Sequence, residues 1–129
     1  LKKLKKYNLK RIKIARLYDN FLRNFPKAFA VQKINKNLTH SYQMYSVLVN
    51  GSKRNNLLYY LRDKKVEASA HFDPPLHFQK YLKKYKTKLV NTENLAKRLV
   101  TLPIYPNLKK KEINRIFKSI ETWYKKNYK

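Results

Sequence analysis

The five prolines of this chain fix where its elements stop, and they do so at three places. Pro26 closes the first segment, Pro74 and Pro75 stand side by side in the middle, and Pro103 and Pro106 precede the last segment. A residue before proline resists the helical region, and proline itself brings no N–H to a helix or a ladder. The first helix therefore ends before Pro26, a central strand stops at 73–75, and a short strand ends at Pro103. Only one glycine, Gly51, accompanies them. Gly-x-Gly-x-x-Gly and Walker loops, which cradle phosphate with bare backbone, cannot be built from it.

Between these stops the apolar spacing names the elements. Leu4, Ile14 or Ala15, Tyr18 and Phe21/Leu22 recur at helical steps and predict a helix over 1–23. Its first half is weakly apolar, which points to a partner surface outside this chain. After an irregular stretch over 24–39, residues 41–49 predict a strand buried on both faces. Asn50-Gly51-Ser52 makes a turn, and Ser52 is placed to cap a helix whose buried stripe is Leu57, Leu58 and Leu61. Residues 66–72 alternate, with Val66, Ala68, Ala70 and Phe72 facing one way and Glu67, Ser69 and His71 the other, and predict a second strand. Pro75 suits the first turn of a short helix reaching about Tyr85. Asn91 or Thr92 caps a helix carrying Leu95 and Leu99, with 99–102 extending into a short strand. Ile113, Ile116, Phe117, Ile120 and Tyr124 make 109–126 the plainest helix of all.

A chain of 129 residues is one domain by length, 1–129. Helices and short strands in this order predict an α/β or α+β class, with a small mixed or antiparallel sheet flanked by helices. No apolar run approaches the ~20 residues that cross a bilayer, and no signal peptide opens the chain, so the expected location is the cytosol. The chain begins at Leu1 and not at Met, which suggests that this is not its natural beginning. The absence of cysteine excludes disulfides and thiolate metal sites.

Charge is the outlying quantity: 32 Lys and Arg against seven Asp and Glu, a formal +25. Such a balance is the electrostatic footprint of a nucleic-acid binder, and a stand-alone basic module is the alternative reading of the chain. Eight basic residues do fall within 1–16, yet others recur at 83–88, 109–111 and 125–129. That dispersion fits a bias laid over solvent-facing positions better than one docking stripe.

Three histidines are available for chemistry. His71 and His77 flank the double proline, six residues apart with Asp73 between them. The spacing lacks the His-x-x-x-His step of a zinc helix and a fourth ligand, so no metal is expected. A proline-fixed corner between a strand and a helix is a place to mount binding groups, or simply a structural bend. His40 precedes the first long strand. Glu67 and His71 share a strand face without a nucleophile beside them.

Four collinear stretches then resemble one family. The run 9–18 (LKRIKIARLY) is similar to the linking helix that opens the C-terminal domain of DegT/DnrJ/StrS-type aminotransferases. The run 40–45 (HSYQMY) resembles their His-aromatic-x-x-Tyr strand, and 66–77 (VEASAHFDPPLH) their glutamate-bearing strand leading to His-Tyr-x-Pro-Leu-His. The run 94–108 (NLAKRLVTLPIYPNL) resembles their Leu-Ser-Leu-Pro-x-x-Pro-x-Leu segment. Lys65 stands where the family usually has glycine, Phe72 where tyrosine is common, and Asp73 lies beside the prolines.

The resemblance implies the small C-terminal domain of a fold-type I enzyme that uses pyridoxal 5'-phosphate, entered by a long linking helix. It implies amino transfer, commonly from glutamate, to a nucleotide-linked keto sugar in polysaccharide biosynthesis, by a cytoplasmic homodimer. The Schiff-base lysine and the phosphate-binding residues of that family lie in the preceding large domain, which is missing here. The chain alone is therefore expected to hold no cofactor, to carry no catalytic residue and to be inactive. Its own implied contribution is a substrate-side wall, with His71 and His77 as the substrate-binding residues.

Overall fold

The computed structural model describes residues 2–35, 37–85 and 87–128, apart from the Lys83 side chain. The first helix, α1 (Leu4–Leu22), buries Ile14, Ala15, Tyr18 and Leu22, a stripe confined to its second half. Leu4 and Leu9 in the first half stand about half exposed, as its weak periodicity suggests. The helix stops four residues short of Pro26, and residue 1, the start of the predicted helix, lies outside the described residues.

Three antiparallel strands follow in the spatial order β1 (Phe29–Val31), β2 (Tyr45–Val49), β3 (Leu99–Leu102). The register sets Val47 of β2 opposite Val31 on one side and Val100 on the other. The sheet is thus antiparallel and carried by helices, the expected class. β1 is a strand that sequence patterning does not announce, because three residues are too few for a period of two to show. β2 begins at Tyr45 and not at residue 41. Tyr42 adopts a left-handed backbone, φ 47°, its N–H bonds to His40 Nδ1 at 3.0 Å, and Arg11 Nε binds the Ser41 carbonyl.

The predicted strand over 66–72 is corrected. Val66 and Ala68 are buried and Glu67 exposed, as the alternation demands. Only Ser69 pairs, however, exchanging two backbone bonds with Thr101 in a single bridge. The Ala68 N–H turns back onto the Val66 carbonyl at 2.8 Å, and Phe72 bends the chain with φ 61°. Local backbone bonds have taken donors that a ladder needs.

Helix α2 (Arg54–Asp63) starts without a side-chain cap, so the expected role of Ser52 is not realised. Its other end is a Schellman motif: Val66 N–H reaches the Leu61 carbonyl and Lys65 N–H the Arg62 carbonyl, both at 2.9 Å. Lys65 occupies the left-handed position, φ 58°. The family resemblance named this residue as standing in glycine's place, and the backbone gives the reason for the glycine. Beyond the corner, the predicted short helix to Tyr85 is two 3-10 segments, Leu76–Phe78 and Lys80–Tyr85. Helix α3 (Val90–Ala96) begins earlier than Asn91, and Leu99 belongs to β3. Helix α4 (Lys110–Asn127) opens with the Lys109 N–H donating to Glu112 Oε2 at 2.8 Å, the glutamate half of a capping box.

α1 and α4 cover the sheet face that carries Tyr45, Val47, Val49, Val100 and Leu102. Phe21 of α1 stacks on Phe117 of α4 at 4.0 Å, and Trp123 of α4, 1% exposed, meets the Phe29 ring and hydrogen-bonds Asn56 of α2 at 2.6 Å. On the free side of β3, the Ser69–Thr101 bridge leads the chain into the 71–78 corner.

Candidate functional site

The corner is tied to the body by three contacts, each from a different element. At its start, Ser69 is bridged to Thr101, and its Oγ lies 3.0 Å from His71 Nδ1. In its middle, the Asp73 carboxylate takes a 2.5 Å ion pair from Arg54 in the first turn of α2. At its end, His77 Nε2 lies 3.3 Å from Glu93 Oε1 on α3. The backbone between these ties contains the cis Asp73-Pro74 peptide and a 3-10 turn closed by Phe78 N–H on the Pro75 carbonyl.

The two histidines occupy opposite environments. His71 is exposed, beside a Phe72 ring that is 69% exposed. His77 is buried at 9% and turned toward α3, its ring 4.3 Å from that of Phe78. No hydrogen bond joins them among the described residues. Glu93 also accepts the Leu89 N–H at 3.0 Å, closing the first turn of its own helix. That backbone donor first, and His77 after it, hold the Glu93 carboxyl below the ordinary carboxylate range.

Arg54 is the residue that pattern reading missed here. A charged side chain only 7% exposed requires a partner, and Asp73 supplies one; Arg54 Nε remains buried without an acceptor. Nothing in the sequence marks an arginine at a helix start as buried. Glu93 was equally silent, although an acid in a first turn is where a helix favours one. Asp73 is visible in the sequence between the two histidines and beside the prolines, with nothing there to mark Arg54 as its partner.

The remaining candidates separate. His40 accepts from Tyr42 and lines a cleft with Arg16, Asp19 and Arg23. Glu67 leaves His71 and lines a small cavity of about 180 Å³ with Lys65, Tyr105 and Glu112. No group of three metal-ligating side chains occurs among the described residues. None of the described lysines is buried, whereas a lysine that carries a carbonyl cofactor is activated by desolvation or a neighbouring cation. No helix among the described residues is long and apolar enough to cross a membrane.

Comparison with known proteins agrees with this architecture. Residues 1–121 match the model of the DegT/DnrJ/EryC1/StrS aminotransferase family. The chain is 30% identical over 107 residues to GDP-perosamine synthase of Escherichia coli O157:H7, covering 82% of this chain and 29% of that protein. Among solved structures, Helicobacter pylori PseC, an aminotransferase involved in the biosynthesis of pseudoaminic acid, superposes with a TM-score of 0.87 at 20% identity. That match covers 98% of this chain and 35% of PseC. An aminotransferase from Brucella abortus superposes with a TM-score of 0.84 at 24% identity, covering 95% and 32%. The chain spans about a third of the length of the proteins it matches.

Proposed function

The chain belongs to the DegT/DnrJ/EryC1/StrS aminotransferase family, and from that premise we propose that it serves as the small domain of a sugar aminotransferase whose large, cofactor-binding domain lies outside these 129 residues. The observation that carries this reading is the family match across 1–121 by a chain about a third as long as its relatives. The complete enzyme would use pyridoxal 5'-phosphate, which supplies the electron sink for amino transfer. It would act on a nucleotide-linked keto sugar with glutamate as donor, as a cytoplasmic homodimer. This chain alone would hold no cofactor and turn over no substrate.

Within that enzyme the 71–78 corner is the substrate-side wall. His71, which is exposed, would meet a sugar hydroxyl or a phosphate. His77, held by Glu93, would contribute to the same wall from its buried side. Arg54 and Glu93 keep the wall in place through Asp73 and His77.

Borohydride reduction of the 129-residue chain in pyridoxal phosphate, followed by peptide mass mapping, tests the reading. Sub-stoichiometric adducts scattered over exposed lysines are expected. Stoichiometric labelling of one lysine, together with amino transfer from glutamate, would overturn it. The rival reading as a nucleic-acid module predicts tight binding with a steep salt slope and a preference among nucleic acids.

A further inference from the structure

The chain has one glycine, and it follows an asparagine: Asn50-Gly51, at the exit of β2. Asparagine is among the thermolabile residues. Glycine, lacking Cβ, is the neighbour that least hinders its own backbone nitrogen from approaching the asparagine side chain. Gly51 is exposed with φ 69°, and a side chain there would meet nothing within 4 Å, so water reaches the turn freely.

Every polar atom of Asn50, by contrast, is held. Nδ2 donates to the Pro26 and Lys27 carbonyls, each at 3.2 Å, and Oδ1 accepts from Arg98 Nη2 at 2.6 Å. The Asn50 N–H donates to the Ala28 carbonyl at 2.8 Å, and its carbonyl accepts from the Tyr128 hydroxyl at 3.0 Å. Arg98 is fixed in turn by its Nε on the Val49 carbonyl at 3.2 Å. One half-buried residue thus joins the turn before β1, the end of β2, the turn before β3 and Tyr128 beyond α4.

We propose that Asn50-Gly51 is a deamidation site and that this clamp sets its rate. The Gly51 nitrogen loses its proton to hydroxide and bonds Asn50 Cγ. The Cγ–Nδ2 bond breaks and ammonia leaves, closing a succinimide. Water then adds to either imide carbonyl and breaks one C–N bond, giving aspartate or isoaspartate with no change of oxidation state. Closure makes Cγ tetrahedral and expels Nδ2, so the two bonds from Nδ2 and the Arg98 bond that fixes Oδ1 have to yield. Both products loosen the 26–27 turn from the end of β2. Aspartate keeps Arg98 but turns an acceptor toward two carbonyls that had a donor. Isoaspartate also reroutes the main chain through the side chain and takes the Asn50 carbonyl from Tyr128. The site stands whether or not the chain works within an aminotransferase.

The test is peptide mass mapping of the whole chain, with isoaspartate detection, after incubation at pH 8.5 and 37 °C in native buffer and in guanidinium chloride. In denaturant Asn50 is expected to deamidate ahead of every other asparagine. In the native chain it should react on the order of a hundredfold more slowly, because three side-chain hydrogen bonds must open first. Arg98→Met removes the guanidinium and should speed the native reaction about tenfold, the worth of one charge-assisted bond, while leaving the denatured rate unchanged. Tyr128→Phe releases only the Asn50 carbonyl, should act in the same direction, and serves if Arg98→Met does not fold. Tyr45→Phe, at the far end of β2, weakens the fold without touching the clamp and should leave the native rate unchanged. Another asparagine reacting first in denaturant overturns the site. Equal rates in native and denatured chains, or acceleration by Tyr45→Phe as large as by Arg98→Met, overturn the clamp in favour of no protection or of global unfolding. A slower reaction in Arg98→Met overturns it too, since the guanidinium would then be driving closure by polarising the amide carbonyl.

Discussion

Tyr45 Oη at the start of β2 donates a 2.6 Å hydrogen bond to Asp19 Oδ1 on α1, 26 residues earlier in the chain. The bond ties the first helix to the central strand beside the Tyr18 ring, 4.8 Å from that of Tyr45. Burial first, and the Asp19 bond second, drive the Tyr45 hydroxyl far above the ordinary phenol range; Tyr18 is raised too, chiefly by burial. In the unfolded chain both ionise near pH 10. Above that pH the folded state binds more protons than the unfolded one, so stability is complete below about 10 and falls as pH rises, by at most about 1.4 kcal/mol per pH unit per tyrosine. Tyr45→Phe should cost about 2 kcal/mol at pH 7. It should also flatten this alkaline loss, as urea midpoints at pH 7, 10 and 11 would show. Lysine neutralisation occurs equally in both proteins and cancels in the comparison.

Lys65 closes the Schellman motif from a left-handed backbone that suits glycine. An L-residue there pays a steric cost of about 1–2 kcal/mol, partly offset by the greater chain entropy that glycine loses on folding. Lys65→Gly should therefore stabilise the chain by about 1 kcal/mol and raise the melting temperature by about 4 °C. Lys65→Ala should yield no such gain. A differential melt of the two variants separates backbone strain from the loss of one positive charge.

Lys65 also shows what sequence could and could not convey. The helices with a sustained apolar stripe, α4 above all, were legible because period 3.6 survives tertiary packing. The 66–72 strand was misread for the opposite reason: its alternation is real and sets the burial of Val66 and Ala68, yet alternation reports which side is buried and not whether a neighbour pairs. β1 was too short to carry a pattern. At the site, the proline corner and its two histidines were visible as residue types. The partners Arg54 and Glu93 were not, because contacts between residues 19 and 16 positions apart leave no local signal. Family resemblance marked the corner and could not say that His77 faces inward.

Trp123 is the single tryptophan and stands 1% exposed, its Nε1–H on Asn56 Oδ1 at 2.6 Å. Trp123→Phe removes that donor and leaves a void beneath Phe29, for an expected loss of about 2–3 kcal/mol. In the parent, tryptophan emission should be blue-shifted when folded and move red through the same denaturant transition as the far-ultraviolet circular dichroism. Noncoincident transitions would mean that α4 leaves the sheet before the rest unfolds.

His71 and His77 should respond differently to truncation, and the difference follows from burial. His71 is exposed and, among the described residues, hydrogen-bonded to the Ser69 hydroxyl alone, so His71→Ala should change stability by less than about 0.5 kcal/mol. His77 is buried between Phe78 and Glu93, so His77→Ala leaves a void and strips one partner from the carboxylate, for about 1.5–3 kcal/mol. The acid limb distinguishes the two further. Glu93 is held below the ordinary carboxylate range, first by the Leu89 N–H and then by His77, so its contribution is present above that range and disappears as pH falls through the depressed value. Glu93→Gln should remove this acid-side loss, and His77→Ala should reduce it, while His71→Ala leaves it unchanged. Urea midpoints measured from pH 7 down to pH 3 read all three. Equal stability costs for the two histidines would place His77 outside the fold's interior and make both of them free to face a ligand.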